Sequence, residues 1–128
     1  MINDWLAIPY KAFGRDRSGA DCWGLVTIAR KTIRGDDLPL YPDISPIDKP
    51  EITRAAGQMI ANGWRESDPI PGSVATVWRF GLLLHIGIVL TNDGMLGVMD
   101  TTSTSGVKWQ RLTDFERHHQ KVIYYDYD

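Results

Sequence analysis

At 128 residues the chain has room for one compact domain, since domains usually run to roughly 100 to 200 residues; a hydrophobic share of 43% with 23% charged residues suits a folded globular protein and excludes disordered and fibrous classes. Lys and Arg number 14 against 16 Asp and Glu, so the net charge of -2 supplies no electrostatic footprint for nucleic acid. One cysteine, Cys22, excludes an internal disulfide and a zinc site built on several thiolates.

The first residues, MINDWLAIPYKAFGRDRSG, contain no basic segment leading into an apolar run, so the sequence predicts synthesis in the cytoplasm without a signal peptide. The longest apolar runs, within 80–84 and 86–90, are far shorter than the roughly 20 residues of a membrane span. The polar string GRDRSGAD predicts a loop that ends at Asp21, whose carboxylate can cap a helix by accepting a first-turn N–H. That helix is expected over 22–34, because Leu25, Val26, Ile28, Ala29 and Ile33 recur at near-helical spacing and Gly35 is a natural stop. Residues 35–50 hold four prolines, at 39, 42, 46 and 50, and predict an extended surface connection. A second helix is expected over 51–62, ended by Gly63, and Pro71-Gly72 marks a turn.

Beyond that turn the pattern changes from a helical period to a strand-like one. Residues 73–78, 85–90, 95–99 and 107–111 are short, rich in valine, isoleucine and aromatics, and separated by turns such as Asn92-Asp93-Gly94. They predict an antiparallel meander, followed by a short helix over 113–118 capped by Thr113 and a final strand over 121–127. Helices first and strands second give an α+β single domain over 1–128.

Cys22 falls on the first turn of the first long helix, where unpaired N–H groups and the helix dipole favour a thiolate. A cysteine nucleophile needs a base, and a third group to orient that base. Of three histidines, His118 and His119 stand in the polar string ERHHQK and are expected to be solvated, whereas His85 heads the apolar strand HIGIVL, where an ionisable ring needs a partner. If 85–90 and 95–99 form a hairpin, the start of the first strand lies beside the end of the second, which brings Asp100 next to His85. A buried cysteine, a satisfied core histidine and a solvated turn aspartate are the bland alternatives for the three residues taken singly.

The strings GRDRSGADCWGLV, PGSVATVWRFGLLLHIGIVL and MDTTSTSGV together resemble the three motif blocks of the NlpC-type cell-wall cysteine peptidases, in the form carried by phage and prophage tail proteins. The blocks span about residues 9 to 107. The resemblance implies a papain-like fold with Cys22 as nucleophile, His85 as general base and acid, and Asp100 in the third position. There its carboxylate would accept the Nδ1 proton of His85. It also implies that Tyr10 lies in the active site, where its hydroxyl, with the Cys22 N–H, would serve the oxyanion or the substrate. Asp21 and Trp23 flank the nucleophile and are expected to border the same substrate and oxyanion region. Two strings depart from the pattern: Pro71-Gly72-Ser73 stands for Pro-Gly-Asp, and Ala12-Phe13-Gly14 for Trp-Gly-Gly.

The expected partners are a peptidoglycan stem peptide, cut at the bond between D-glutamate and a diamino acid, and phage tail-tip proteins, with assembly into a tail or virion. No cofactor and no metal are implied, since a thiolate mechanism needs none. Two other functions stay open: a non-catalytic tail-assembly subunit with the same fold, and an amidase, thioesterase or acyltransferase using the same Cys-His pair.

Overall fold

The computed structural model describes residues 2–127. A short helix, α1 (Ile2–Leu6), buries Trp5 and leads to a small hairpin of β1 (Arg15–Asp16) and β2 (Gly19–Ala20). Two long helices follow, α2 (Cys22–Arg34) and α3 (Lys49–Ala61). The remainder is β3 (Arg65–Glu66), β4 (Val74–Arg79), β5 (Leu82–Asn92), β6 (Met95–Thr102), β7 (Gly106–Arg111), the short helix α4 (Leu112–Arg117) and β8 (Lys121–Asp126). The last six strands form one sheet in the order β3-β8-β4-β5-β6-β7, with every pairing antiparallel. The fold is α+β, and no helix among the described residues is long and apolar enough to cross a membrane.

Local chemistry sets the boundaries of the two long helices. Asp21 caps α2 by accepting the Gly24 N–H, and Gly35, at φ 79°, ends it in the left-handed conformation with its N–H on Lys31 O. Asp48 caps α3 by accepting the Glu51 N–H, and Pro50 sits in the first turn, where a missing N–H costs nothing. That proline therefore opens the helix, which begins two residues earlier than its sequence pattern suggests.

Helices α2 and α3 pack on one face of the sheet, against β5. Leu25, Val26 and Ala29 of α2 meet Ile86, Ile88 and Met99 in the larger core cluster, each fully burying a side chain for a gain of roughly 1.5–3 kcal/mol where the residue is Leu, Val, Ile or Met. Val77, Val89 and Val98 point to the opposite face, where Phe115 of α4 covers them. The hairpin between β5 and β6 closes through Asp93 (φ 51°) and Gly94 (φ 77°), with Asn92 paired to Met95. Two successive positive φ values are those of a type I′ turn, whose twist matches the strands it joins.

Other features also differ from expectation. The loop before Asp21 contains the β1–β2 hairpin, turned by Asp16, which accepts hydrogen bonds from both the N–H and the hydroxyl of Ser18. Helix α1 and strand β3 are too short to leave a periodic signal. Thr113 is not the cap of α4, which starts at Leu112 after Arg111 with no side-chain cap bond. Strand β5 begins at Leu82, three residues before His85, because a register shift opposite Val77 and Trp78 breaks the alternation: Val77 pairs with His85 and Trp78 with Leu83, leaving Leu84 as an extra residue. That bulge lets Leu83 and Ile86 share the α3 face while His85, opposite Val77, turns to the α4 face.

A buried cation secures the far end of α2. Arg30 is 0% exposed and donates to Asp36, Asp126, Gly72 O and Tyr127 O, so its charge is paired and its fork satisfied. It ties the helix to the turn before β4 and to the end of β8.

Candidate active site

Cys22 is the first residue of α2 and 8% exposed. Asp21 takes the Gly24 N–H on its side chain and the Leu25 N–H on its main chain, which leaves the N–H groups of Cys22 and Trp23 at the helix start available to an anion. The Asp21 carboxylate is 1% exposed and fully engaged: Oδ1 also accepts from Arg15 Nη1 at 2.7 Å, and Oδ2 accepts from the Phe13 N–H at 2.9 Å. Its hydrogen bonds hold the loop before α2 against the helix. Gly24 permits the close approach, since a Cβ there would lie 2.0 Å from Gly14 O.

His85 Nε2 lies 2.7 Å from Asp100 Oδ2, with Asp100 2% exposed. The contact expected through Nδ1 is made through Nε2 instead. The Cys22 thiol lies close enough to the same imidazole to raise its pKa, which brings thiol, imidazole and carboxylate into one neighbourhood. Gly87 makes the second contact possible: a Cβ there would lie 3.2 Å from Asp100 Cβ and 2.8 Å from Met99 O, so a larger residue would fill the space through which Asp100 reaches His85.

Burial, the largest influence on His85, pushes its pKa down, but the hydrogen bond that the ring donates to Asp100, the nearby Cys22 side chain and the Asp100 charge more than reverse this and raise it to about 9. Imidazolium is therefore the favoured form at neutral pH, poised to give a proton. Tyr10 is half-buried and joined to Ala20 by a single bridge in the chain stretch before Cys22. Its phenol is held above its ordinary pKa by burial first and then by the charges of Cys22 and Asp21, which puts the hydroxyl within electrostatic reach of the thiol.

Trp23 is half-buried, and its indole N–H donates to Pro39 O at 2.8 Å. It is one of several anchors for the proline-rich segment: Arg15 donates to Leu40 O and Tyr41 O, and Lys49 Nζ to Pro46 O and Leu84 O. Residues 41–46 thereby roof a cavity that opens beside Cys22. The two departures from the motif pattern have local explanations. Phe13, at φ 65°, occupies the left-handed region at a position where the pattern has glycine, and Ser73 closes its turn by donating to Ile70 O and accepting from the Ile70 N–H.

The histidine pair at 118 and 119 divides. His118 is exposed, as expected. His119 is instead half-buried, its ring tilted against Phe115 at 4.6 Å between centroids and 6.5 Å from the His85 ring. Burial, then the positive charge of His85, lowers its pKa, with Asp100 opposing. The turn that ends α4 folds this residue back onto the sheet, and a tandem histidine in a polar string carries no sign of it. Among the described residues no group of three or more His, Cys, Asp or Glu side chains is arranged to hold a metal ion.

No protein-family profile and no curated protein sequence matches the chain. Among solved structures, the chain is similar to the NlpC/p60 domain of the peptidoglycan hydrolase SagA, with a TM-score of 0.57 and 17% identity over 94% of this chain and 90% of that one. At that identity the likeness is one of fold: the helices and antiparallel sheet are those of a papain-like NlpC/p60 domain.

Proposed function

We propose that the protein is a cysteine peptidase that hydrolyses peptide bonds of bacterial cell wall. The observation that carries this is the His85–Asp100 pair near Cys22 at a helix N-terminus, on the fold of a domain from a peptidoglycan hydrolase. The Cys22 thiolate attacks the scissile carbonyl carbon, and the negative charge that develops on the oxygen is met by the Cys22 N–H, with the Tyr10 hydroxyl nearby. The His85 imidazolium gives its proton to the departing amine as the C–N bond breaks and the thioester forms. Neutral His85 then removes a proton from water, the resulting hydroxide attacks the thioester, and thiolate and carboxylic acid are released. Asp100 holds the imidazole by its Nε2 proton and stabilises its charged form throughout.

The motif resemblance favours the bond between D-glutamate and a diamino acid as substrate, and a phage or prophage tail tip as the setting from which the domain reaches the wall. Mass spectrometry of defined muropeptides containing L-Ala-D-Glu-meso-diaminopimelate, incubated with wild type and with Cys22→Ala, tests the activity and identifies the bond. Cleavage by wild type alone is expected. Intact muropeptides with a folded, reduced protein would instead favour the non-catalytic tail subunit or another acyl substrate.

A further inference from the structure

The cavity beside Cys22 has the wrong chemistry for a charged substrate group. It measures about 90 Å³ and lies between α3 and the sheet, walled by Ala56 and Met59 of α3, Leu83 and Ile86 of β5, and Trp23 and Tyr41 at the roof. Its charged members are already spent: Asp21 holds three donors, and Arg15 gives its guanidinium to Asp21, Gly14 O, Leu40 O and Tyr41 O. Thr76 also faces it, but its hydroxyl donates to Ile123 O and accepts from the Trp78 indole. Neutral tyrosine and serine hydroxyls remain in the wall, and no charged side chain is free to pair with a carboxylate or an ammonium group. Apolar cavities of this kind stay dry and take up apolar groups, whereas an unpaired charge inside one pays for its lost hydration.

Position decides which part of a substrate would enter. A leaving amine must sit against His85, which protonates it, so the acyl part lies on the other side of the nucleophile. Cys22 lines the cavity, but His85 does not, and the β5 bulge turns His85 to the α4 face while Leu83 and Ile86 face the cavity. We infer that this cavity is the acyl-side specificity pocket of the Cys22 site and takes an aliphatic group of several carbons. That group could be the chain of a fatty acyl donor or the side chain of an aliphatic amino acid. The inference rests on Cys22 being the nucleophile and concerns the aliphatic part of the acyl group alone.

Two measurements test it separately from that reading. In the first, octanoate and acetate are titrated into Cys22→Ala and followed by thermal shift, which reports on the pocket with no chemistry. Octanoate is expected to raise the melting temperature at concentrations where acetate does not, and Ala56→Phe in the same background to abolish the difference. Equal effects of the two acids would overturn the pocket.

In the second, wild type is given p-nitrophenyl acetate, butyrate, hexanoate and octanoate, and in parallel glycyl and leucyl p-nitroanilides. The Cys22 acyl-enzyme is counted by intact mass. A rise in kcat/KM of at least about tenfold from acetyl to hexanoyl is expected. A matching rise from glycyl to leucyl would mark an amino-acid side chain as the source, and its absence a fatty acyl chain. Ala56→Phe should pull the hexanoyl-to-acetyl ratio towards one, and Met59→Ala should move the optimum to a longer chain. Acylation with no dependence on chain length would overturn the pocket and leave the nucleophile standing. No acylation by any donor, with octanoate still binding, would overturn the nucleophile and with it the catalytic meaning of the pocket.

Discussion

Asp100→Asn removes one charge from a 2%-exposed position while keeping the shape of the side chain, and so isolates what the carboxylate does to His85. The raised His85 value of about 9, against an ordinary 6.5, corresponds to about 3 kcal/mol in favour of imidazolium. Burial alone acts in the opposite direction, so with the Asp100 charge gone the ring should titrate well below 9, and towards or below 6.5 once the Cys22 contribution is also removed. The assay is two-bond proton–nitrogen correlation of protein labelled at the histidine ring nitrogens, followed from pH 5 to 10 in wild type, Asp100→Asn and Asp100→Asn/Cys22→Ala. The half-buried His119, whose pKa is lowered, is distinguished by its earlier titration. Activity should fall by about 10²- to 10⁴-fold in Asp100→Asn, because a neutral amide neither stabilises the imidazolium nor enforces its orientation.

Stability gives the same prediction an independent readout. His85 has a folded pKa above its unfolded one, so its contribution is complete below pH 6.5 and is lost as pH rises through about 9. Wild type should lose up to about 3 kcal/mol of unfolding free energy across that window, and Asp100→Asn should show much less of this decline. A His85 that still titrates near 9 in Asp100→Asn would refute the assignment of the shift to the carboxylate.

Arg30→Met should cost about 1–3 kcal/mol in urea denaturation, because Gly72 O and Tyr127 O lose their donor, whereas Asp126 keeps Arg34 and Asp36 is half-exposed. Asp21→Ala removes a helix cap, leaves the Phe13 N–H without its acceptor and takes from Arg15 its one carboxylate partner, for an expected loss of about 2–4 kcal/mol, and Asp21→Asn should recover part of it by restoring the cap. Gly87→Ala would set a Cβ 2.7 Å from Val98 Cγ1. It should destabilise by about 1–3 kcal/mol and, by pushing β6 away, lower kcat more than KM changes.

The parts of this molecule that its sequence makes legible are those governed by local chemistry or by short-range geometry. Asp21 and Gly35 bracket α2 by capping rules, and a turn of Asp93 and Gly94 between two apolar strands brings residues 85 and 100 together through the antiparallel arrangement alone. Features that depend on distant segments meeting in space leave no such trace. Arg30 sits among the apolar positions of an amphipathic helix, and its burial becomes tolerable through Asp126 and Tyr127, almost a chain length away. His119 reads as a surface residue until α4 turns it back towards His85. The face on which His85 points was illegible for a different reason. Strict alternation along β5 puts residues 83 and 85 on one side, but a single extra residue at Leu84 sends Leu83 to the α3 face and leaves His85 on the other. One residue of bulge thus separates the apolar wall from the proton donor, and an alternating pattern cannot reveal a place where alternation fails.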